Sequence, residues 1–358
     1  MQIWVALSGG ANECGYKLKG RFRRRGIFSD RPGKARIFAA MQNVNPLRIR
    51  AISDLLIVVG LAALGGVLFS YLGTVLAAAV CSIPISDIPF LMNSYVSTPK
   101  ARTALLILQS CLALGSFMLF PGLMLFFRRP NEFETPAIPI KKSVLGLVIV
   151  LAVLMMPVNA WLSLWNESIH FPSFLKELEQ MAIQKEDELR DLTLFLVDFQ
   201  SISEMVLGFI VISFIAGLTE EFFFRKLLQP RLIAIFGNFH AGIWITAFIF
   251  SAIHVQFFGL IPRMVLGALF GYYYFWTGRI WVPVFAHTLN NFITLAAMVL
   301  YTRKISPVDI ENTQILPWFI SATAAGFCLT LALKLRDNAK AIRSEISAYS
   351  PEKEYDKS

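Results

Sequence analysis

Two adjacent carboxylates, Glu220 and Glu221, stand near the end of a long apolar stretch, residues 205–225. An ionisable side chain inside a membrane span is costly, so its presence indicates a functional site. Helix positions four apart share a face, so we expect Glu221 and Arg225 to form an ion pair, whereas Glu220 points about 100° away. Glu221 and Arg225 would then support the site, and Glu220 would act as a general base. The alternative is a buried charge cluster that only fixes helix packing.

Each of two later apolar stretches carries one histidine, and the whole chain has four. His254 follows Phe250 by four residues and Asn291 follows His287 by four residues, so the members of each pair share a helix face. An imidazole and a carboxamide on one face can both donate hydrogen bonds to a developing oxyanion. A hydrogen-bonded core histidine and a polar contact between helices are the structural alternatives. Carboxylates, imidazoles and a carboxamide inside a membrane together predict buried acid–base chemistry.

The expected depth of these residues depends on a turn at Gly237-Asn238. Glu220 lies 17 residues before Gly237 and His254 lies 17 residues after it, so both lie about 25 Å from the turn at 1.5 Å per residue. An antiparallel helical hairpin therefore puts Glu220 level with His254. The same ideal geometry puts His287 nearer the opposite membrane face, so a tilt, a kink or a partial span is needed to bring it to the site.

The composition predicts the environment of these residues. Of 358 residues, 56% are hydrophobic and 16% are charged, whereas soluble globular domains are about 45–50% apolar. The chain shows no β-barrel alternation, and helices are the other structure that satisfies its backbone groups in hydrocarbon. We therefore predict an all-α, polytopic integral membrane protein with about eight transmembrane helices of about 20 residues each. The candidate spans are residues 52–81, 103–127, 143–165, 205–228, 239–257, 260–277, 280–301 and 315–334.

The net charge of +9 has its simplest cause in the positive-inside rule rather than in nucleic-acid binding. Basic residues gather in residues 1–50, in the loop 128–142 and after the last span, whereas the loop 166–204 is acidic. We expect a multi-pass protein of the inner (plasma) membrane with both termini in the cytoplasm, in contact with the lipid bilayer and without a nucleic-acid partner. Four scattered cysteines predict neither a disulfide framework nor a Cys-type zinc site.

Four regions follow from these patterns. The first is basic and expected to be disordered, with Met41 as an alternative start of the chain. In the second, the amphipathic segment 173–203 either covers or gates the outer mouth of the bundle or is a solvated surface helix without that role. The predicted regions are the N-terminal segment 1–50, scaffold helices with the amphipathic segment in 51–204, a catalytic membrane core in 205–301, and the last transmembrane helix with a charged cytoplasmic tail in 302–358.

Three motifs in this order resemble the EExxxR, FxxxH and HxxxN signature of the CPBP family of intramembrane proteases. That family includes the type II CAAX prenyl endopeptidases and bacterial immunity proteins of the Abi type. The resemblance covers roughly residues 205–300, and three ordered motifs on separate spans are far more specific than any one of them. The matching positions are Glu220, Glu221 and Arg225, then Phe250 and His254, then His287 and Asn291.

The resemblance assigns these residues to three tasks. It implies water activation by Glu220 with His254, support of the site by Glu221 and Arg225, and oxyanion stabilisation by His287 and Asn291. The family is described as metalloproteases, but this chain lacks the HExxH pair that gives one helix two zinc ligands. Either the protein uses no cofactor, or Glu220, His254 and His287 bind zinc. The same residues suit a metal-free mechanism, which we favour.

The leading functional prediction is an intramembrane endopeptidase that hydrolyses a peptide bond of a membrane protein or a lipidated peptide. A transporter or proton relay is the second reading, because intramembrane Glu and His residues also mark ion pathways. The chain, however, shows no duplicated half with matching broken helices. A non-catalytic immunity or scaffold protein is the third reading. GxSG, GxGD and HExxH motifs, which would indicate other intramembrane protease chemistries, are absent from the sequence.

Overall fold

The computed structural model describes residues 45–128, 133, 135–140, 142–306 and 317–348. This part of the chain is helical and contains no strand, which confirms the all-α prediction. The basic segment before residue 45, including Met41, and residues 349–358 of the predicted tail lie outside the described residues. The main helices are α1 (Pro46–Cys81), α2 (Ala101–Phe127), α3 (Lys142–Glu167), α4 (Lys176–Val197), α5 (Ile202–Phe236), α6 (Phe239–Ala252), α7 (Leu260–Thr277), α8 (Trp281–Thr302) and α9 (Trp318–Ala348).

Six of the described helices, namely α1, α2, α3, α5, α8 and α9, are long and apolar enough to cross a membrane. The expected number of about eight is therefore not confirmed. Helix α6 has 14 residues and is about 21 Å long, which is shorter than the hydrocarbon core of about 30 Å. Helix α7 has 18 residues but includes Arg263 and three consecutive tyrosines, which lower its hydropathy. Helix α6 packs against α5 and α7, and α7 packs against α3, α6 and α8.

Helices α5 and α6 form a tight hairpin at the predicted turn. Helix α5 ends at Phe236, and Gly237 then takes the left-handed conformation with φ +66°, which glycine adopts without a steric penalty. The Asn238 side chain accepts hydrogen bonds from the backbone N–H groups of His240 and Ala241 and so caps α6. The turn at Gly237-Asn238 is confirmed.

Small residues let the helices that carry the site approach closely, as expected in a membrane bundle. A side chain at Gly65 of α1 would overlap the carbonyl oxygen of Gly115 in α2. A Cβ at Gly217 of α5 would lie 2.6 Å from Thr288 Oγ1 in α8. The second contact brings the Glu220-Glu221 segment of α5 against the start of α8.

Buried ion pairs tie the helices together at both ends of the bundle. At one end, the fully buried Asp54 of α1 lies 3.6 Å from Arg128 Nε and 3.8 Å from Arg231 Nε. At the other end, Arg102 Nη1 of α2 donates to Glu204 Oε2 of α5 over 3.0 Å. Asp54 therefore links α1 to α5 and to the end of α2. Arg231, which is buried near the end of α5, has this carboxylate beside it.

The predicted amphipathic segment contains helix α4, which begins after a helical turn at Ser173–Leu175. Part of its apolar surface is exposed, including Leu178 and Met181, as in helices that lie along a membrane surface. Near its end, Phe195 packs 4.8 Å from Tyr95 and beneath the guanidinium of Arg102. The prediction of a helix in this segment is confirmed.

Candidate active site

The two neighbouring glutamates lie between two π-helical segments of α5, Ile210–Ile215 and Phe222–Leu228. Such segments widen the helix locally and occur frequently at functional sites. Between them, Ala216–Glu221 is regular α-helix. The adjacent side chains therefore point in different directions, Glu221 towards the bundle interior and Glu220 towards a cavity.

Glu221 is fully buried and contacts two basic side chains. Its Oε2 lies 3.0 Å from Arg225 Nε, and the Arg225 side chain is equally buried. Its Oε1 lies 2.8 Å from His287 Nδ1, which arrives from α8. The predicted ion pair between Glu221 and Arg225 is confirmed, and the bond to His287 is a contact that helical spacing did not predict.

Arg225 is held in place by α7 and by aromatic rings. Its Nη2 donates to the carbonyl oxygen of Gly267 over 3.0 Å, and its guanidinium lies 4.9 Å from the ring centroid of Phe250. That distance is within the range of a cation–π interaction. A Cβ at Gly267 would come within 2.9 Å of the Phe250 ring, so glycine leaves the space that this packing needs. These contacts fix Arg225 as a support of Glu221.

His287 stands between the two glutamates. A carboxylate only accepts, so the bond to Glu221 Oε1 places a proton on His287 Nδ1. The other ring nitrogen, Nε2, lies 3.8 Å from Glu220 Oε2, which is beyond direct hydrogen-bond distance. With Nδ1 protonated, Nε2 can donate only when the ring is an imidazolium. The ring also stacks on Phe270 with centroids 5.2 Å apart.

The ideal-helix estimate placed His287 away from the other site residues unless a tilt, a kink or a partial span brought it there, and the structure supplies departures of this kind. The estimate assumed straight, ideal helices, whereas α5 contains two π-helical segments and α6 is shorter than a full span. The close contact of Gly217 with Thr288 then sets α8 directly against the Glu220-Glu221 segment. His287, one residue before Thr288, therefore reaches both glutamates.

His254 lies just beyond the end of α6 and is half-buried. Its Nδ1 is 2.8 Å from the carbonyl oxygen of Phe250, and because a carbonyl only accepts, Nδ1 carries the proton. The remaining nitrogen, Nε2, is then free to accept a hydrogen bond. The Phe250 ring lies edge-on to the imidazole with centroids 5.3 Å apart. Phe250 thus supports His254 as well as Arg225.

Glu220 and His254 face the same cavity of about 450 Å³ between α1, α2, α5 and α6. The volume is typical of a small-molecule or peptide site. Gln109 and Ser116 of α2 are the other polar side chains in its wall, and the remaining residues are apolar. The expectation that Glu220 and His254 reach one level is confirmed by this shared cavity. The lining residues are Val59, Ala62, Ala63, Gln109, Leu112, Ala113, Ser116, Phe117, Val211, Ile215, Ala216, Glu220, Phe223, Phe224, Ile249, Ile253 and His254.

Asn291 is not aimed at the same place as His287. Its Nδ2 donates to the carbonyl oxygen of Ile212 over 3.2 Å, within the first π-helical segment of α5. Asn290 lies beside it, with Nδ2 3.4 Å from Asn291 Oδ1. Neither His287 nor Asn291 lines the cavity. His287 reaches the glutamates, whereas Asn291 binds the helix backbone. The oxyanion role of the two residues therefore stays a prediction.

The zinc alternative requires Glu220, His254 and His287 to lie together as a set of ligands. Among the residues that the structure describes, no three His, Cys, Asp or Glu side chains form a group that could hold a metal ion. One nitrogen of His287 is already bonded to Glu221, and one nitrogen of His254 to Phe250. Glu220, His254 and His287 do not come together as a ligand set. Whether the protein uses a metal stays a prediction that elemental analysis has to decide.

A comparison with protein families matches the region that builds this site. Residues 202–293 match the family described as "Type II CAAX prenyl endopeptidase Rce1-like". This segment is similar to the CAAX protease family. A protein described as "Putative membrane peptidase YdiL" from Bacillus subtilis (strain 168) is 36% identical over 90 residues, which are 25% of this chain and 36% of that relative. No solved structure was found to match the chain.

The Rce1-like segment, residues 202–293, covers α5, α6, α7 and the first part of α8. It contains all the residues of the three motifs, so the resemblance inferred from them is confirmed for this segment. Helices α1 to α4 and α9 lie outside it. Helices α1 and α2 nevertheless supply one side of the cavity wall, so the site depends on parts of the chain that the match does not cover.

Proposed function

We propose that the protein is an intramembrane endopeptidase that uses Glu220 and His254 to activate water. The observation that carries the proposal is the shared cavity, whose mostly apolar wall contains both a carboxylate and an imidazole with a free nitrogen. The similarity of residues 202–293 to a peptidase family supports it. A water molecule between Glu220 and His254 would have one acceptor on each side.

The reaction follows from these positions. Glu220 takes a proton from water, His254 Nε2 accepts the second hydrogen as a hydrogen bond, and the water oxygen attacks the carbonyl carbon of the peptide. The tetrahedral intermediate carries a negative oxygen, which the protonated Nε2 of His287 stabilises while Glu221 balances its charge. Glu220 then gives its proton to the departing amine, and the C–N bond breaks. No step requires a metal.

The substrate fits this cavity when the scissile bond lies beside an apolar segment. We propose a membrane-associated protein or a lipidated peptide, because most of the lining residues are apolar. Such a substrate can enter from the bilayer and place its backbone at the glutamate without carrying a charge into hydrocarbon. Gln109 and Ser116 supply amide and hydroxyl groups on the opposite wall, where they can bond to the substrate backbone.

The charges at the two ends of the bundle indicate which end faces the cytoplasm. The end of the bundle with Arg128 and Arg231 continues into the basic loop after α2, and the end with Glu204 continues from the acidic loop 166–204. By the positive-inside rule, the first end lies in the cytoplasm. Both termini would then be cytoplasmic and the membrane would be the inner (plasma) membrane.

A cleavage experiment tests the proposal. Purified protein in liposomes is incubated with a solubilised membrane proteome, and new protein termini are identified by mass spectrometry. Wild type is compared with Glu220→Gln, which keeps the side-chain shape but cannot accept the proton. We expect new termini with wild type and none with the variant. Equal sets of termini from both proteins would refute the assignment of Glu220 as the base.

A further inference from the structure

The loop that carries His254, residues 253–259, has a conformation that its own sequence does not favour. Val255 takes φ +54°, in the left-handed region that β-branched residues adopt rarely. Such a conformation persists only where the surroundings hold it in place. Side chains from α3, α4 and α7 provide this support.

Asn166, at the end of α3, fixes the far end of the loop. Its Nδ2 donates to the carbonyl oxygen of Phe257 over 2.9 Å, and its Oδ1 accepts from the backbone N–H of Ile261 over 2.8 Å. The Ser251 hydroxyl donates to the carbonyl oxygen of Leu260 over 2.7 Å. These bonds close the loop between α6 and α7. They leave its middle, next to His254, to be held by other groups.

Gln256 holds the middle of the loop through a chain of two hydrogen bonds. Its Oε1 accepts from Arg263 Nη2 of α7 over 2.7 Å, and its Nε2 donates to Glu186 Oε1 of α4 over 3.2 Å. The amide can have only this orientation, because a guanidinium only donates and a carboxylate only accepts. Burial raises the pKa of the Glu186 carboxyl above its ordinary value, whereas the Arg263 charge acts in the opposite direction. We call Glu186, Gln256 and Arg263 the loop relay.

The loop relay lies next to the groups that would activate water. Gln256 is two residues after His254 in sequence, and the Arg263 guanidinium donates to the Gln256 side chain. The guanidinium also packs over Gly259, where a Cβ would come within 2.8 Å of Arg263 Nη2. The position of the Arg263 cation relative to the proposed catalytic pair therefore depends on the loop.

Helix α4 is held on both sides of Glu186, by an exposed contact with the loop that precedes it and by a partly buried contact with α2. Before Glu186, Glu179 Oε1 lies 3.0 Å from His170 Nδ1. After it, the carbonyl oxygen of Phe195 accepts from Arg102 Nε over 2.9 Å. A helix held at two points can transmit its position to a side chain between them.

We propose that Glu186, Gln256 and Arg263 are positioning residues for the reaction, through which surface helix α4 holds the His254 loop in its active conformation. The proposal rests on the proposed function, since it needs His254 to act on water. Helix α4 is thereby part of the active site. A substrate or partner that moved α4 would change turnover without contacting Glu220.

A charge-exchange series tests this proposal. Gln256→Ala breaks both bonds, and Gln256→Glu sets a second carboxylate against Glu186. The double change Glu186→Gln with Gln256→Glu restores both bonds, because the amide then at position 186 donates to the carboxylate at position 256, which still accepts from Arg263. The matched control on the same helix is Glu188→Gln, which breaks an exposed pair with Lys185 of 2.8 Å.

We expect Gln256→Ala and Gln256→Glu each to lower kcat about 100-fold, as for a misplacement of about 1 Å at a catalytic group, with KM nearly unchanged. The double change should restore most of the turnover, and Glu188→Gln should match wild type. Hydrogen exchange of residues 253–259 supplies a readout that needs no activity. It should be faster in both single variants and slow again in the double variant.

The same assays separate this proposal from the proposed function. Glu220→Gln and His254→Ala are measured alongside, and retained turnover in both would remove the peptidase mechanism. If those two variants are inactive while Gln256→Ala keeps wild-type kcat, only the positioning role is refuted. Failure of the double change to restore kcat and slow exchange would equally overturn it, because a general loss of folding is not repaired by exchanging two polar groups.

Discussion

Glu221→Ala is the change whose cost the structure defines best. It leaves Arg225, whose side chain is fully buried, without the carboxylate oxygen 3.0 Å from its Nε. It also removes the acceptor 2.8 Å from His287 Nδ1. Removal of one partner from a buried ion pair costs about 3–5 kcal/mol. That is about two to three and a half powers of ten in the ratio of folded to unfolded protein, and a large part of a total stability of about 5–15 kcal/mol.

The remaining contacts of Arg225 are too weak to replace the carboxylate. They are the bond to the Gly267 carbonyl oxygen and the position over the Phe250 ring, and a cation–π contact contributes about 0.5–2 kcal/mol. Glu221→Gln with Arg225→Gln removes both charges and keeps two side chains that can bond to each other. We expect the double variant to be more stable than the sum of its single variants predicts, by at least about 1 kcal/mol. Recovery stays partial because His287 loses its charged acceptor.

The assay is equilibrium unfolding in mixed micelles, followed by circular dichroism. It compares Glu221→Ala, the single variants Glu221→Gln and Arg225→Gln, and the double variant. Glu188→Gln, at an exposed ion pair, is the control and should unfold like wild type. If the free-energy changes of the single variants add to that of the double variant within about 0.5 kcal/mol, Glu221 and Arg225 do not interact. The account of Glu221 as a structural carboxylate would then be wrong.

Three further predictions address the bundle and its chemistry. Gly217→Val should lower stability by about 1–3 kcal/mol, because its Cβ would lie 2.6 Å from Thr288 Oγ1; Gly146→Val, where a Cβ would meet nothing within 4 Å, is the thermal-unfolding control. Asn291→Ala should lower stability, because its Nδ2 donates to the carbonyl oxygen of Ile212 in α5, and a loss of turnover of about 100- to 1000-fold at unchanged stability would instead assign Asn291 to the oxyanion. Active protein washed with chelator should contain no zinc that tracks activity in elemental analysis, and stoichiometric zinc that does so would replace the metal-free mechanism.

Local sequence rules predicted the features that depend on one helix or one turn. The four-residue spacing gave the pair Glu221–Arg225, and the Gly237-Asn238 pair gave the hairpin, because both depend on neighbours along the chain. Hydropathy predicted the helical membrane bundle and most of its spans. It could not separate the short helix α6 from a full span, because the apolar run 239–257 continues past Ala252 into the loop that carries His254.

The contacts between helices needed the structure. The bond of His287 to Glu221 depends on how α8 packs against α5, and the two π-helical segments changed the geometry that an ideal helix predicts. The loop relay was missed for the same reason, since Glu186 lies 70 residues before Gln256. One signal was present in the sequence. Arg263 is a charge within an apolar run, which by itself indicates a functional position.

The adjacent glutamates have different roles in the site because consecutive helix residues point about 100° apart. Glu221 is fully buried in the interior, where one oxygen lies beside Arg225 and the other beside His287, so it does not face the cavity. Glu220 faces the cavity with 16% of its side chain exposed and keeps its oxygens available. His287 connects the two, since its Nδ1 bonds to Glu221 and its Nε2 faces Glu220. A change at Glu221 should therefore alter both stability and the oxyanion donor, whereas a change at Glu220 should alter the chemistry alone.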